Sequence, residues 1–283
     1  MKLLTVFMSA LISVFAKAPA TVEIDKDELP QSVVFDIVMD HFNDNKNELH
    51  KKLLFIGYDG FRRDCLPIIT ADENGAVSRV ITDGSLLFTY AGGTKGAEQQ
   101  TSTAVGWCSI LTGKMAAESG VWNNKSVKRD SAETFLTKAS DLGYSCAFIS
   151  SYHSHFDSTF VRDIRTAKET DASCDYIRTV NDRESLDVAK SLLLKDSYDV
   201  IVVIFEYTDD AGHAEGFSID EPSYADACRK ADRAGAELID TALSVDGGKS
   251  DRLFVITTDH GGIGRRHGGQ TPDERLTWAV VGK

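Results

Sequence analysis

The sequence predicts an α/β fold, a doubly wound and mostly parallel sheet with helices on both faces. Two observations carry this expectation. Segments such as 53–58 (LLFIGY) and 199–205 (DVIVVIF) are continuous apolar runs rich in β-branched and aromatic residues, the composition of strands buried on both faces. Between the strands lie stretches with apolar residues at helical spacing, so strand and helix alternate as crossover connections require. A chain of 283 residues with 42% hydrophobic content can bury one substantial core. No internal repeat or low-complexity linker interrupts it.

The elements follow in order. Residues 1–20 comprise Met1-Lys2, an apolar run over 3–16, Lys17 and then Ala18-Pro19-Ala20. Charge, length and small residues match a secretory signal, which implies an extracytoplasmic protein whose mature chain begins near Thr21. The other reading is an apolar N-terminal helix on a cytoplasmic protein, packed on the domain or weakly on a membrane surface; the run is too short for a comfortable membrane span. Residues 21–50 hold a lead-in helix at 31–42, and the main domain runs over 51–283, starting with the strand at 53–58. A strand at 86–90 leads into Gly92-Gly93-Thr94-Lys95-Gly96, which lacks the spacing of a phosphate loop and reads as a turn. A helical segment after Gln99 ends at Thr112-Gly113, a helix spans 131–142, and a strand spans 144–149. The polar stretch 156–183 reads as an insertion capping the site. Helices at 185–194 and 224–243 flank the strand at 199–205, and strands at 252–258 and 276–281 complete the sheet. The chain stops at Val281-Gly282-Lys283, straight after a strand, so a shortened domain or a fragment is expected.

A net charge of −12 excludes the basic surface that a nucleic-acid binder needs for counterion release. Arg265-Arg266 could meet a substrate phosphate, although a solvated pair is the commoner use of such residues. The five cysteines, Cys65, Cys108, Cys146, Cys174 and Cys228, are too scattered for a zinc knuckle or a disulfide framework. Cys108 and Cys146 lie in apolar patterns and read as small core residues.

The chemistry concentrates after the strands. The strand at 252–258 delivers Asp259 and His260, and a glycine turn returns His267. The strand at 199–205 is followed by Asp209 and His213, and the strand at 53–58 by Asp59. In open α/β sheets ligands bind at the carboxyl ends of strands. Carboxylates crowded there call for a cation, and mixed oxygen and imidazole ligands suit a borderline divalent metal. Thr101, Ser102 and Thr103 precede the helix that ends at Thr112; a hydroxyl there can cap the helix or, next to a metal, become a nucleophile. His153 and His155 follow the strand at 144–149, but no carboxylate stands at ligand spacing in sequence, so they read as polar loop residues lining the pocket.

Asp59-Gly60, the hydroxyls ahead of Leu111-Thr112-Gly113, the Asp209-x-x-x-His213 motif and Asp259-His260-Gly261 occur in an order that resembles the alkaline phosphatase superfamily, in its type I phosphodiesterase/nucleotide pyrophosphatase branch. The resemblance runs from about Lys51 to the end of the chain. It implies a phosphate-ester hydrolase with two divalent ions, zinc by preference, and a small anionic phosphate-ester substrate. Asp209, His213 and His267 would hold one ion; Asp59, Asp259 and His260 would hold the other, beside a covalent nucleophile at Thr103, with Thr101 and Ser102 as fallbacks. A phosphomonoesterase, a phosphosugar mutase or a metal-binding fragment without turnover are the alternatives. Three departures accompany it: Gly106 where the branch carries an asparagine, a final histidine, His267, unusually close to Asp259, and the early end of the chain. Thr103-Ala104-Val105-Gly106-Trp107 lacks the Cys/Ser-x-Pro-x-Arg setting of the sulfatases.

Overall fold

The computed structural model describes residues 28–44, 49–124, 133–170 and 172–283. The apolar segment read as a secretory signal, and the start of the lead-in region, lie outside the described residues. The strands are β1 (Leu29–Pro30), β2 (His50–Tyr58), β3 (Ser85–Tyr90), β4 (Gly93–Thr94), β5 (Ala97–Glu98), β6 (Cys146–Ser150), β7 (Cys174–Arg178), β8 (Val200–Phe205), β9 (Ser250–Thr257) and β10 (Leu276–Gly282). The helices are α1 (Val33–Asn43), α2 (Leu66–Thr70), α3 (Ala76–Thr82), α4 (Thr103–Thr112), α5 (Ala116–Ser119), α6 (Phe135–Asp141), α7 (Val161–Thr170), α8 (Asp182–Lys195), α9 (Tyr207–Glu215), α10 (Pro222–Asp246) and α11 (Pro272–Arg275).

Among the described residues, eight strands form one sheet in the order β1-β3-β10-β9-β2-β8-β6-β7, and β4-β5 make a small hairpin. Only β10 runs against its neighbours, β3 and β9. The alternation of side chains across the pleat explains why these strands read as unbroken apolar runs. Along β2, Leu53 and Phe55 pack with α1, α4 and α6 through Val34, Trp107 and Phe135, whereas Leu54, Ile56 and Tyr58 pack with α3, α8 and α10 through Val77, Leu186 and Leu238. The predicted doubly wound fold is the observed one.

Helix boundaries have local causes. The Asn181 side chain accepts from Glu184 N at 3.0 Å and caps α8. Pro222 occupies the first turn of α10, where its missing N–H costs nothing. The segment expected to cap the site, 156–183, builds α7 and the strand β7, which pairs in parallel with β6 at the edge of the main sheet. Its pattern hid this strand because an edge position leaves Asp175 and Arg178 in solvent, so the apolar signal is diluted.

Candidate metal centre and nucleophile

β9, β2, β8 and β6 lie side by side and parallel, so their carboxyl ends open on one edge. Asp259 and His260 follow β9, Asp59 follows β2, and Asp209 and His213 follow β8. The last two stand one turn apart on α9, a helix that the sequence reading did not assign; the helix puts the i and i+4 side chains on one face. These ends are stitched together: Phe61 N donates to Thr258 Oγ1 at 3.0 Å, Tyr224 Oη to Gly60 O at 2.6 Å, and Thr208 Oγ1 to Asp59 O. Gly60 adopts φ +65°, and a Cβ there would lie 2.7 Å from Asp209 Oδ1, so only glycine lets β2 and α9 approach this closely.

The three carboxylates and three imidazoles converge. His260 Nε2 is 3.4 Å from both Asp59 Oδ1 and Asp259 Oδ2. His213 Nε2 is 3.3 Å from Asp209 Oδ2, and His267 Nε2 is 3.7 Å from Asp209 Oδ1. The rings of His260 and His267 stack at 4.0 Å, making the two groups one continuous cluster. Asp59, Asp259 and His260 are fully buried, while His213 is half-exposed at the mouth.

The donor and acceptor pattern fits divalent cations. His260 Nδ1 meets Gly261 O at 2.8 Å, His267 Nδ1 meets Thr101 O at 3.0 Å, and His213 Nδ1 meets Arg265 O at 3.1 Å. Donation from each Nδ1 to a carbonyl leaves each Nε2 as a lone pair directed inward, the arrangement of metal-ligating histidines. His213 Nε2 and His267 Nε2 then face each other at 3.1 Å, a contact that needs a cation or a proton between them. The carboxylates are oriented in the same way. Asp59 Oδ2 accepts from Trp107 Nε1 at 2.7 Å and Asp259 Oδ1 from Gly60 N at 3.1 Å, turning their other oxygens inward. Asp259 Oδ2 and Asp209 Oδ1 are buried without a hydrogen-bond partner.

Electrostatics point the same way. Burial pushes the Asp59 carboxyl well above the usual range, and Asp259, Glu206 and Asp209 push it further. Asp259 is raised in the same direction, chiefly by burial. Burial holds His260 neutral, with its pKa pushed down to about 3. The hydrogen bond to Asp209 raises His213 to about 9. Burial works to raise Asp209, but the His213 hydrogen bond and the neighbouring imidazoles outweigh it and hold the carboxyl low. Bound divalent ions would supply the missing positive charge and displace the proton from His213.

Thr103 is the first residue of α4, and its Oγ1 lies 3.5 Å from both Asp59 Oδ1 and His260 Nε2. The fallback hydroxyls sit elsewhere. Thr101 Oγ1 donates to Gly269 O at 2.9 Å and accepts from Gly268 N at 3.1 Å, pinning the loop that carries His267. Ser102 precedes the helix, yet its Oγ is buried without a partner and makes no cap. Asn124, which the sequence reading missed, does the capping: its Oδ1 accepts from Ala104 N at 2.9 Å. That leaves its amide N–H groups as donors near Thr103.

The Gly106 departure has a packing cause. A Cβ at Gly106 would lie 2.6 Å from Asp259 O, so α4 touches the end of β9 through a position that admits no side chain. Trp107, the next residue, spends its N–H on Asp59. Arg265 and Arg266 are exposed, and Arg265 pairs with Glu215 at 3.3 Å. Of the two remaining histidines near the site, His153 is exposed and His155 fully buried.

Comparison with solved structures places this architecture among known folds. Murine ectonucleotide pyrophosphatase/phosphodiesterase 5 superposes with a TM-score of 0.53 at 16% identity, covering 75% of this chain and 57% of that one. The zinc complex of the C-terminal periplasmic domain of EptC from Escherichia coli gives 0.53 at 15% identity, covering 85% and 75%. Phosphonoacetate hydrolase from Sinorhizobium meliloti 1021 gives 0.52 at 18% identity, covering 75% and 56%. The chain thus spans under three fifths of the length of the murine protein. No curated protein matches the sequence. The family model for type I phosphodiesterase/nucleotide pyrophosphatase matches residues 53–264, and the chain belongs to that family.

Proposed function

We propose that this protein hydrolyses phosphate esters, of the phosphodiester or nucleotide pyrophosphate kind, with Thr103 as covalent nucleophile and two zinc ions as cofactors. The observation that carries the reading is the inward convergence of three imidazole Nε2 atoms and three carboxylates around Thr103 Oγ1, with every outward-facing partner a protein donor or carbonyl. Asp59, Asp259 and His260 would hold one ion, and Asp209, His213 and His267 the other. When bound, such ions lower the pKa of a nearby hydroxyl and neutralise phosphoryl oxygens.

The chain's own residues do the rest. The α4 N-terminus carries a partial positive charge and favours an alkoxide at Thr103. Thr103 Oγ attacks phosphorus as the ester oxygen departs on the opposite side, leaving a phospho-threonine that water hydrolyses. Asn124 stands where its amide can donate to a phosphoryl oxygen, the role that position 106 cannot fill. A variant of the murine relative in which a threonine is replaced by alanine is described as inactive and was solved with AMP, which supports a threonine nucleophile and a nucleotide-type substrate here.

Incubation of zinc-loaded protein with bis(4-nitrophenyl) phosphate and with 4-nitrophenyl phosphate tests the reading. Faster release of nitrophenol from the diester is expected; the reverse preference would assign a phosphomonoesterase, and no release from either would leave a metal-binding fragment. The secretory reading of residues 1–20 and the relatedness in fold to a periplasmic domain support action outside the cytoplasm. Among the described residues no helix is long and apolar enough to cross a membrane.

A further inference from the structure

We propose that the fold pairs four of the five cysteines for disulfide formation, Cys146 with Cys174 and Cys65 with Cys228, and leaves Cys108 as the single thiol. The five are scattered along the chain, and all stand as thiols in the structure. Folding sorts them by place. Cys146 on β6 and Cys174 on β7 lie on the face of the sheet that packs with α1, α4 and α6. Cys65, at the end of the turn after β2, and Cys228 on α10 lie in the core on the opposite face. Cys108 belongs to a third cluster that holds no other cysteine, and its thiol bonds with Ser119 and Thr112.

Both pairs are in contact. Cys146 and Cys174 are register partners across the parallel β6–β7 ladder, so their side chains leave the sheet on the same face. Neighbouring strands lie about 4.8 Å apart, inside the roughly 4.4–6.8 Å between Cα atoms that a disulfide spans. The two thiols share a hydrogen bond, and so do those of Cys65 and Cys228. A small apolar residue would fill any of these positions, whereas a second cysteine makes the neighbouring sulfur a reactant. Each bond would also fasten a segment that needs it. Among the described residues β7 is the last strand of the sheet and pairs with β6 alone. Cys65 closes the segment that leaves β2 after Asp59, and Cys228 stands one turn along α10 from Tyr224, whose hydroxyl donates to Gly60 O. The second link ties the exit of β2 to the helix that already holds it, without using a candidate metal ligand.

The oxidant is a disulfide of the class met outside the cytoplasm, represented by glutathione disulfide. Cys174 is half-buried and the other three cysteines are buried, so Cys174 is the point of entry. Its thiol gives up a proton and the thiolate attacks one sulfur of glutathione disulfide, breaking that S–S bond and releasing one glutathione thiolate, which takes a proton. The Cys146 sulfur, losing its own proton, then attacks the Cys174 sulfur and displaces the second glutathione. Two protein thiols are oxidised to one disulfide, and one glutathione disulfide is reduced to two glutathiones. The contact with Cys174, and then burial, push the Cys146 thiol up, so it is the second to react. Cys65 and Cys228 undergo the same exchange during folding, before the core closes over them.

The full chain, reduced, unfolded and then refolded in a glutathione and glutathione disulfide buffer, is alkylated and mapped by peptide mass. The links Cys146–Cys174 and Cys65–Cys228 are expected, with alkylation at Cys108 alone. The oxidised protein should melt roughly 5–10 °C above the same protein in excess reductant. Cys174→Ser should keep the Cys65–Cys228 link, become alkylated at Cys108 and Cys146, and lose part of that melting difference. Cys228→Ser should keep the other link and become alkylated at Cys65 and Cys108. Alkylation of all five cysteines, in protein whose far-ultraviolet spectrum matches the reduced form, overturns the proposal, as does any link through Cys108. Recovery of one link without the other overturns the pairing that is missing. These readouts involve neither zinc nor hydrolysis, so they stand or fall apart from the reading under Proposed function.

Discussion

Replacing Thr103 by alanine separates chemistry from architecture in a way that few substitutions here can. The hydroxyl is 2% exposed, and its two polar contacts, to Asp59 Oδ1 and His260 Nε2, are both 3.5 Å long. Contacts that long contribute well under the ~1 kcal/mol of a good neutral hydrogen bond, so stability should change little. Asp59 keeps its bond from Trp107 and His260 its bond to Gly261, so the ligands stay oriented and zinc content should hold. Turnover is another matter. Loss of the nucleophile should lower kcat by about 10³-fold or more, a loss of roughly 4 kcal/mol in transition-state stabilisation. Thr103→Ser should recover part of the rate. Ser102→Ala should be mild, since it removes a buried hydroxyl that has no partner. The assay is nitrophenol release under saturating substrate, with metal content by atomic emission and melting temperature measured on the same samples. Wild-type turnover in Thr103→Ala would refute the covalent assignment, and an inactive Ser102→Ala beside an active Thr103→Ala would move the nucleophile by one residue.

Asp209→Ala should lose about one zinc per chain and all hydrolysis, because it removes the carboxylate shared by His213 and His267; retention of both ions would refute the ligand set. Trp107→Phe should cost about 1.5–3 kcal/mol of stability, the range for a hydrogen bond to a charged acceptor, read from a denaturant titration; an unchanged midpoint would show that the indole N–H does not hold Asp59. In metal-free protein the His213 pKa is raised to about 9 by Asp209, so the protonated pair stabilises the fold fully below the unfolded value of about 6.5. The melting temperature of metal-free protein should therefore fall between about pH 6.5 and 9, more than that of His213→Gln; equal falls in the two proteins would refute the pairing.

Legibility in the sequence followed burial. β2, β8 and β9 were readable because both faces are covered, so their central positions, 53–56, 200–205 and 253–256, are all apolar before the chain reaches the carboxyl edge that carries Asp59 and Asp259. The start of α4 was readable because three successive hydroxyls, Thr101 to Thr103, lead into a helix that is buried along its whole length. β7 escaped notice because an edge strand exposes alternate residues, and α9 because five polar or small residues in a row look like loop until tertiary contacts fold them. Asn124 and Glu206 were missed for a different reason. Neither belongs to a spaced motif: Asn124 reaches the start of α4 from the loop after α5, and Glu206 comes beside Asp59 only because β2 and β8 are neighbours.

His155 shows the same limit most sharply, because no carboxylate stands at ligand spacing from it along the chain. Spacing along a chain is informative when one turn or helix carries several candidate ligands, as α9 carries Asp209 and His213. A doubly wound sheet distributes its ligands differently, one from the end of each strand, and residues 59, 155 and 206 become neighbours only through the order β2-β8-β6. Along such an edge each added parallel strand can deliver one more polar side chain without disturbing the core beneath it. The buried carboxylate count then grows faster than the fold alone can neutralise, since the buried arginine at this edge, Arg62, is already paired with Asp64 and Asp273. Bound cations would complete the structure for that reason, and Asp59, which touches Trp107, Thr103 and His260 at once, is the residue through which their loss should be felt in catalysis.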